Sequence, residues 1–325
     1  MGWLRRLPLD PFLLMLFGAI GLALLLPARG DAALWLSWAA KLAIGLLFFM
    51  HGVRLPAESL RAGLTNWPVQ LLIFALTFLY FPLIGWVAAM LDPGLLNERL
   101  WMGVLFLCVL PSTVQSSIAL TALAGGNLAA AVCAATASNI LAVAITPLLA
   151  SVMIGAAGEN GDTLAQTGKV VVQILLPFAA GQLLRRWLWP HLSPYARFIG
   201  LGDRGVILLA VYSSFSAAIV ARVWAGVPAQ QFLLLAGVVL ALLLLGLAGS
   251  LALSAWLGLA RDDRIAVVLC GGQKSLVSGV PFANVLFPAA TSGLLMLPLI
   301  LFHQLQLLLY TAMARRYAKQ APPPG

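Results

Sequence analysis

Long apolar stretches, separated by short polar loops, recur along the whole chain. A helix needs about 20 apolar residues to cross the hydrocarbon core of a bilayer. Because helices buried in a bundle are apolar on every side, the length of each stretch is more informative than its periodicity. The pattern predicts an all-α membrane protein, a single integral domain over residues 1–325. Its ten transmembrane helices are expected at approximately 11–28, 33–52, 67–91, 100–124, 127–154, 168–189, 204–222, 229–258, 264–287 and 290–314.

The composition excludes an ordinary soluble protein. Of the 325 residues, 62% are hydrophobic and 9% are charged, whereas soluble domains carry about 25% charged residues. The net charge of +9 indicates oriented membrane helices and no nucleic-acid partner, since cytoplasmic loops are rich in Lys and Arg. We expect both termini in the cytoplasm, and a multi-pass protein of the plasma membrane or of a bacterial inner membrane. The basic residues then left on the outer side are Arg29, Arg99, Lys169 and Arg222.

Ten helices divide into two sets of five, at about residues 10–156 and 165–316. Because five is an odd number, the two sets cross the membrane in opposite directions, which is the inverted-repeat plan of many secondary transporters. The fourth and ninth helices then occupy equivalent positions. Both are predicted to be discontinuous, and we expect them to cross near the middle of the membrane.

Each of these two helices carries a polar cluster beside helix-breaking residues. The clusters and breaks are Gln115, Ser116 and Ser117 beside Pro111, and Gln273, Lys274 and Ser275 beside Gly271 and Gly272. A break leaves backbone groups unpaired, at a cost of several kcal/mol per group in lipid, unless something replaces the lost hydrogen bonds. Breaks persist where they line a cavity and meet a substrate or an ion. The sequence therefore predicts a binding site for a small molecule between the two breaks.

Lys274 is the most unusual of these residues, since a lysine at membrane depth needs a partner. The acidic residues all fall in predicted loops or at helix ends, so no carboxylate is expected beside it. Its partner can be the carbonyl groups that end a half-helix, in which case the ammonium substitutes for an ion. It can also be the headgroup of an anionic substrate, or the lysine can exchange protons. A structural lysine that extends toward the interface is the remaining alternative.

Four further polar residues lie in or beside the spans. Asn139 sits in mid-span, where its amide needs partners, and is a candidate for the site. Asn127 is expected to cap the fifth helix after two glycines. His303 is either a core histidine bonded to a facing helix or a proton relay. Lys41 is expected to extend toward the outer interface.

The same stretches resemble the bile acid:sodium symporter superfamily, in particular the branch with vertebrate orphan carriers and fungal regulators of calcium influx. The resemblance covers all ten predicted helices. It is carried by FFMHGVRLP at 48–56, PSTVQSSIALTALAGGN at 111–127, ATASNILAVAITPLL at 135–149 and GGQKSLVSGVPFA at 271–283. It implies a panel domain, a core domain, and crossed fourth and ninth helices.

The resemblance also implies sodium sites built from hydroxyl and amide side chains and one glutamate. The residues at or near the matching positions are Ser117, Thr121, Thr136, Ser138 and Gln273. Ile118 stands where the family has an asparagine, and Leu269 or Cys270 stands where it has the glutamate. Lys274, one residue after Gln273, would repel a neighbouring cation. These departures argue against the sodium coupling of the family's symporters.

We therefore expect a secondary carrier for a small or amphipathic organic anion, working by alternating access without that sodium coupling. The alternatives are a genuine sodium-coupled symporter and a membrane protein that limits calcium influx through a partner. No catalytic residues, bound metal or cofactor are expected, because HExxH, GxSxG and GxxxxGK[ST] motifs are absent from the sequence.

Overall fold

The computed structural model describes residues 11–54, 66–92, 94–155, 163–223 and 227–320. Within these ranges all regular secondary structure is helical, which confirms the predicted all-α class. Seven helical segments of the described residues are long and apolar enough to cross a membrane, and two of them, Arg261–Leu286 and Ala289–Lys319, each contain two consecutive helices. The prediction of ten crossings and two inverted repeats stays a prediction. The expected position of the termini concerns residues 1–10 and 321–325, which lie outside the described ranges.

The helices follow one another in the order that the hydropathy pattern indicates. They are α1 (Pro11–Leu25), α2 (Gly30–Arg54), α3 (Trp67–Met90), α4 (Glu98–Cys108), α5 (Gln115–Leu123), α6 (Leu128–Gly155), α7 (Thr163–Leu192), α8 (Ala196–Val220), α9 (Ala229–Trp256), α10 (Arg261–Gly271), α11 (Leu276–Leu286), α12 (Ala289–Leu295) and α13 (Leu297–Lys319). The predicted fourth span thus consists of α4 and α5, which have 11 and 9 residues and are each too short to cross a bilayer alone. The ninth consists of α10 and α11, with 11 residues each.

Several helices begin a few residues earlier than the hydropathy pattern predicts, and the difference is largest for α8. The seventh span was expected from residue 204, whereas α8 begins at Ala196. Hydropathy indicates which residues lie in lipid and does not indicate helix formation. The initial turns of α8, which carry Asp203 and two glycines, were therefore predicted to be a loop. The consequence is a correction for Asp203, which was expected in a loop or at a helix end. It lies in α8, inside the candidate span Phe198–Val220, and a carboxylate is therefore present in a span.

The described helices pack in two groups. In the first helix group, α2 packs along α7, and α8 packs against α1 and α2. Gly52 of α2 faces the carbonyl oxygen of Phe178 in α7, and Gly181 of α7 faces the carbonyl oxygen of Phe49. The backbones of α2 and α7 are therefore in direct contact. The second helix group contains α3–α6 and α9–α13, packed around the ends of α4 and α10, and its α12 also packs closely against α8 of the first group.

Candidate functional site

The two interruptions, at residues 109–114 and 272–275, lie against each other in the interior of the second helix group. The amide of Ser275 donates to the carbonyl oxygen of Pro111 at 2.9 Å, which joins the two directly. Ser275 also begins α11, and its hydroxyl accepts a hydrogen bond from the amide of Ser278 at 3.1 Å. A break in one helix thus supplies a partner for the break in the other.

Side chains satisfy much of the remaining backbone. The amide of Ser112 donates to the hydroxyl of Ser138 at 3.1 Å, and the hydroxyl of Ser112 donates to the carbonyl of Cys270. The amide oxygen of Gln273 accepts from Thr113 at 3.0 Å and from Ser116 at 2.7 Å. Because these bonds run between α4–α6 and α10–α11, the non-helical segments are held in one defined conformation.

Asn139 connects three elements at the same place. Its amide nitrogen donates to the carbonyls of Ser112 and Ala135, both at 2.9 Å. Its amide oxygen accepts from the hydroxyl of Ser278 at 2.6 Å. The side chain therefore joins the first break, α6 and α11, which is the partnership that a mid-span amide requires.

The ammonium group of Lys274 is enclosed by main-chain oxygens. Its side chain has no solvent exposure. The Nζ atom donates to the carbonyls of Thr77 at 2.9 Å, Cys108 at 2.8 Å and Leu110 at 2.8 Å. It also lies 4.4 Å from the ring centre of Phe81. An ammonium has three N–H donors, and each of them is used. Of the partners proposed for Lys274 from the sequence, the structure therefore shows backbone carbonyl groups.

The geometry of α3 and α4 explains why these carbonyls are available. Residues 76–80 form a π-helical turn, in which the amide of Phe81 donates to Leu76. The next residue, Pro82, has no N–H, so the carbonyl of Thr77 lacks a donor within its helix. The carbonyl of Cys108 is likewise free, because the amide of Ser112 is taken by Ser138. The C-terminal end of α4 carries partial negative charge, which further favours a cation at this place.

Gln306 of α13 holds the main chain of Lys274. Its amide oxygen accepts from the N–H of Lys274 at 2.8 Å, and its amide nitrogen donates to the carbonyl of the same residue at 2.9 Å. Gln306 is fully buried. The lysine is therefore fixed at its backbone as well as at its ammonium.

Replacing Gln306 with leucine is expected to lower the thermal stability of the purified protein, because it leaves two buried backbone groups unpaired at about 1–3 kcal/mol each. Gln304→Leu is the matched control on the same helix, since the amide nitrogen of Gln304 is buried without a partner. That control is expected to melt at or above the wild-type temperature. Equal melting temperatures for the two variants would contradict this role of Gln306.

A cavity of about 560 Å³ lies between the two helix groups and reaches the breaks. From the second group, hydroxyl and amide side chains and apolar side chains line it. From the first group, three phenylalanines and charged or ionisable side chains line it. The polar and ionisable residues on the wall from the second group are Thr113, Gln115, Ser116, Thr136, Asn139, Ser275, Ser278 and His303. The aromatic and ionisable residues on the wall from the first group are Phe12, Phe48, His51, Arg54, Phe178, Asp203 and Arg204.

The predicted site residues all gather around the breaks, but they divide into two sets. Those that line the cavity are Gln115, Ser116, Thr136, Asn139 and Ser275. Those buried behind the cavity wall are Ser117, Thr121, Ser138, Gln273 and Lys274. Substrate contact is thus available to the first set. The second set, Lys274 included, can act only through the structure that it holds together.

The cavity residues absent from the predicted site include four charged or ionisable ones: His51, Arg54, Asp203 and Arg204. They lie at the end of α2 and in the first turns of α8, where a basic residue ordinarily signals orientation in the membrane. His51 and Arg54 could have been found from the HGVR stretch within the family-like segment at 48–56, whereas Asp203 and Arg204 lie outside every such segment. Leu55 and Pro56 of that segment lie outside the described residues.

Three other predictions can be compared with the structure. Asn127 caps α6, since its side-chain oxygen accepts from the amide of Ala130 at 2.9 Å. Lys41 is exposed and lies 5.3 Å from the ring of Trp38, away from the breaks. His303 lines the cavity, and its Nδ1 atom lies 2.9 Å from the amide nitrogen of Gln306 on its own helix.

Comparison with known proteins shows similarity over nearly the whole chain. The model of the SBF-like CPA transporter family matches residues 10–319. The uncharacterized protein PA2026 of Pseudomonas aeruginosa is 44% identical over 97% of this chain and 95% of its own. The putative symporter YfeH of Escherichia coli is 41% identical over 96% and 94%. Sodium/bile acid cotransporter 7 of Rattus norvegicus is 26% identical over 95% and 92%.

Proposed function

Because this chain belongs to the SBF-like CPA transporter family, we propose that it is a secondary carrier of an amphipathic organic anion that works without coupled sodium. Membership confirms the resemblance to the bile acid:sodium symporter superfamily, and the chain is a membrane transporter by that membership. The substrate and the coupling are the parts that we propose.

One observation carries the proposal: the Lys274 ammonium occupies a cage of three carbonyls behind a cavity that reaches two broken helices. Carbonyl oxygens at the end of a half-helix are the ligands that a transported sodium ion would use. The positive charge of the lysine would repel a second cation there, and no carboxylate lies beside it among the described residues to offset that repulsion. The tethered ammonium therefore substitutes for the ion, and it is not released in the transport cycle.

The order of the described helices supports a ten-span arrangement. The first five spans are α1, α2, α3, α4 with α5, and α6; the second five are α7, α8, α9, α10 with α11, and α12 with α13. In each set the fourth span is divided by several non-helical residues, as two inverted repeats require, whereas only Met296 separates α12 from α13. The first helix group then corresponds to the panel domain and the second to the core domain. Rocking of one against the other would expose the cavity to each side in turn.

The cavity wall suits a molecule with an acid group and an apolar body. Phe48 and Phe178 supply aromatic surface, while Arg54 and Arg204 supply positive charge. Gln115 has an exposed side chain, and its amide makes no hydrogen bond within the described residues. Arg54 and Arg204 lie at the end that the positive-inside rule assigns to the cytoplasm. The cavity would thus be open to the cytoplasm.

Uptake into proteoliposomes tests the proposal. Labelled carboxylates and sulfonates, among them the bile acids suggested by the relatives' names, are compared with cationic amines of similar size. We expect uptake of one or more of the acids. We also expect the rate to change by less than about twofold when external sodium is replaced by potassium or choline, because no sodium has to bind.

Two outcomes would contradict the proposal. Uptake that requires a sodium gradient favours the sodium-coupled alternative. No uptake of any acid, together with a change of cytosolic calcium after deletion of the gene, favours the alternative of a regulator of calcium influx. An empty-liposome control and the Lys274 variants described in the Discussion separate transport from leakage.

A further inference from the structure

Among the described residues, the charged side chains on the cavity wall come from the first helix group. They are Arg54 at the end of α2, and Asp203 with Arg204 in the first turns of α8. The facing wall, from α5, α6 and α11, offers neutral hydroxyl and amide groups. The cavity is therefore electrically asymmetric, with a charged side and a neutral polar side.

Asp203 neutralises one of the two arginines. Its Oδ2 atom lies 2.6 Å from Nη2 of Arg54, and the two side chains are 15% and 22% exposed. His51 lies on the other side of the same carboxylate, with Nε2 at 3.9 Å. At pH 8 histidine is ordinarily neutral. The Arg54–Asp203 pair then has no net charge, and Arg54 already donates a charge-assisted hydrogen bond to the carboxylate.

Arg204 is not neutralised in this way. Its guanidinium makes no hydrogen bond or ion pair within the described part of the chain, and it lies 5.7 Å from the ring centre of Phe12. A half-buried guanidinium with five N–H donors in a planar fork matches the geometry of a carboxylate or sulfonate. The aromatic ring beside it supplies apolar surface next to the position of the acid group.

We propose that Arg204 binds the acid group of the substrate, and that Asp203, by engaging Arg54, limits the cavity to substrates with a single acid group. This inference rests on the proposed function and deepens it. When Asp203 holds Arg54, Arg204 is the one described arginine of the wall that is not in an ion pair. A second acid group on the substrate would therefore have to displace Asp203 from Arg54. The apolar body of the substrate then lies along Phe48 and Phe178, and its uncharged polar end reaches the amide of Gln115.

Matched probes test the assignment at pH 8 on the purified full-length protein. Decanoate and cholate carry one acid group, decanamide and cholamide carry none, and decanedioate carries two. Equilibrium binding is measured for each. Wild-type protein is expected to bind the single acids more tightly than the amides and than decanedioate.

Two substitutions are expected to change this selectivity in opposite directions. Arg204→Gln should weaken binding of the single acids by about tenfold to a hundredfold, the equivalent of one charge-assisted hydrogen-bonded pair. Binding of the amides should change by less than about twofold. Asp203→Asn should free Arg54 and improve binding of decanedioate relative to decanoate by about tenfold.

Matched controls keep the result interpretable. Arg315→Gln removes the same charge from an exposed residue of α13 outside the cavity and is expected to bind like wild type. The double variant Arg54→Gln with Asp203→Asn removes both members of the pair, leaves Arg204, and should keep the preference for single acids. It shows whether a changed ranking in Asp203→Asn comes from the released Arg54, because that arginine is missing from the double variant.

The outcomes distinguish this inference from the function on which it rests. If wild type prefers acids but Arg204→Gln retains that preference, the assignment of Arg204 is wrong and the carrier function stands. If Asp203→Asn retains the wild-type ranking of single and double acids, or if the double variant, which has no Arg54 to release, loses that ranking, the role of Asp203 is wrong. If wild-type protein binds no acid and transports none, the proposed function fails as well.

Discussion

Lys274→Ala is expected to lose transport and to melt about 5 °C or more below wild type. The substitution leaves the carbonyls of Thr77, Cys108 and Leu110 without a donor in a site closed to solvent. Each unpaired buried carbonyl costs about 1–3 kcal/mol. The two breaks also lose the charge that holds the end of α4 against α3.

The same variant provides a sharper test, because it opens a space lined by carbonyl oxygens. We expect sodium to raise the melting temperature of Lys274→Ala by a few degrees, by binding where the ammonium was. Lys274→Met fills that space with an uncharged chain of similar length, so it should be destabilised without any response to sodium. Wild-type protein should not respond either.

Thermal unfolding of the three proteins, measured in sodium and in choline buffers, checks these expectations together with uptake. A Lys274→Ala protein that is stable and active in choline would show that the ammonium is dispensable. A sodium-dependent shift of the wild-type protein would show that a separate sodium site exists, and the proposed mechanism would then be wrong.

Gly52→Ala is expected to disrupt the first helix group. A Cβ atom at this position would overlap the carbonyl oxygen of Phe178 and lie 2.9 Å from the amide nitrogen of Gln182. Both are backbone atoms of α7, which cannot move without displacing the helix. Overpacking of this kind costs about 1–3 kcal/mol or more, and small residues are the ones that allow such close approach of membrane helices.

Gly45→Ala in the same helix is the matched control, because a Cβ atom there would meet no atom within 4 Å. It should melt at or slightly above the wild-type temperature, since alanine favours a helix over glycine. Because Phe48, His51 and Phe178 line the cavity, separation of α2 and α7 should also reduce uptake by Gly52→Ala. Equal stability of the two variants would show that the contact between α2 and α7 is not needed for the fold.

The positions of the helices and of both interruptions could be predicted because they depend on local properties. Apolar stretches of sufficient length become helices in lipid, where every backbone group must find a partner within its own segment. Pro111 and the pair Gly271 and Gly272 weaken that pairing locally. The start of α8 was missed for the complementary reason, since its first turns, with Asp203 and Arg204, are polar although they are helical.

The sequence offered carbonyl groups as one possible partner of Lys274 but could not select them, because their availability depends on contacts between separate segments. The carbonyl of Thr77 is free only through a π-helical turn followed by Pro82. That of Cys108 is free only because Ser138, on another helix, takes the amide that would have bonded to it. The sequence shows Pro82, but packing decides that the preceding turn is π-helical, and the carbonyl of Thr77 is free only because of that turn.

By itself, the sequence determined that this chain is an all-α membrane protein. It also determined where two of the helices are interrupted and which polar residues lie at the interruptions. It could do so because hydropathy and local backbone hydrogen bonding act within one segment. Only the tertiary structure decided which of those residues face the cavity and which are enclosed, and that the charged side chains described on its wall come from α2 and α8. The physical reason is that burial and ion pairing depend on how separate helices are rotated and placed against one another. No pattern along a single helix encodes that arrangement.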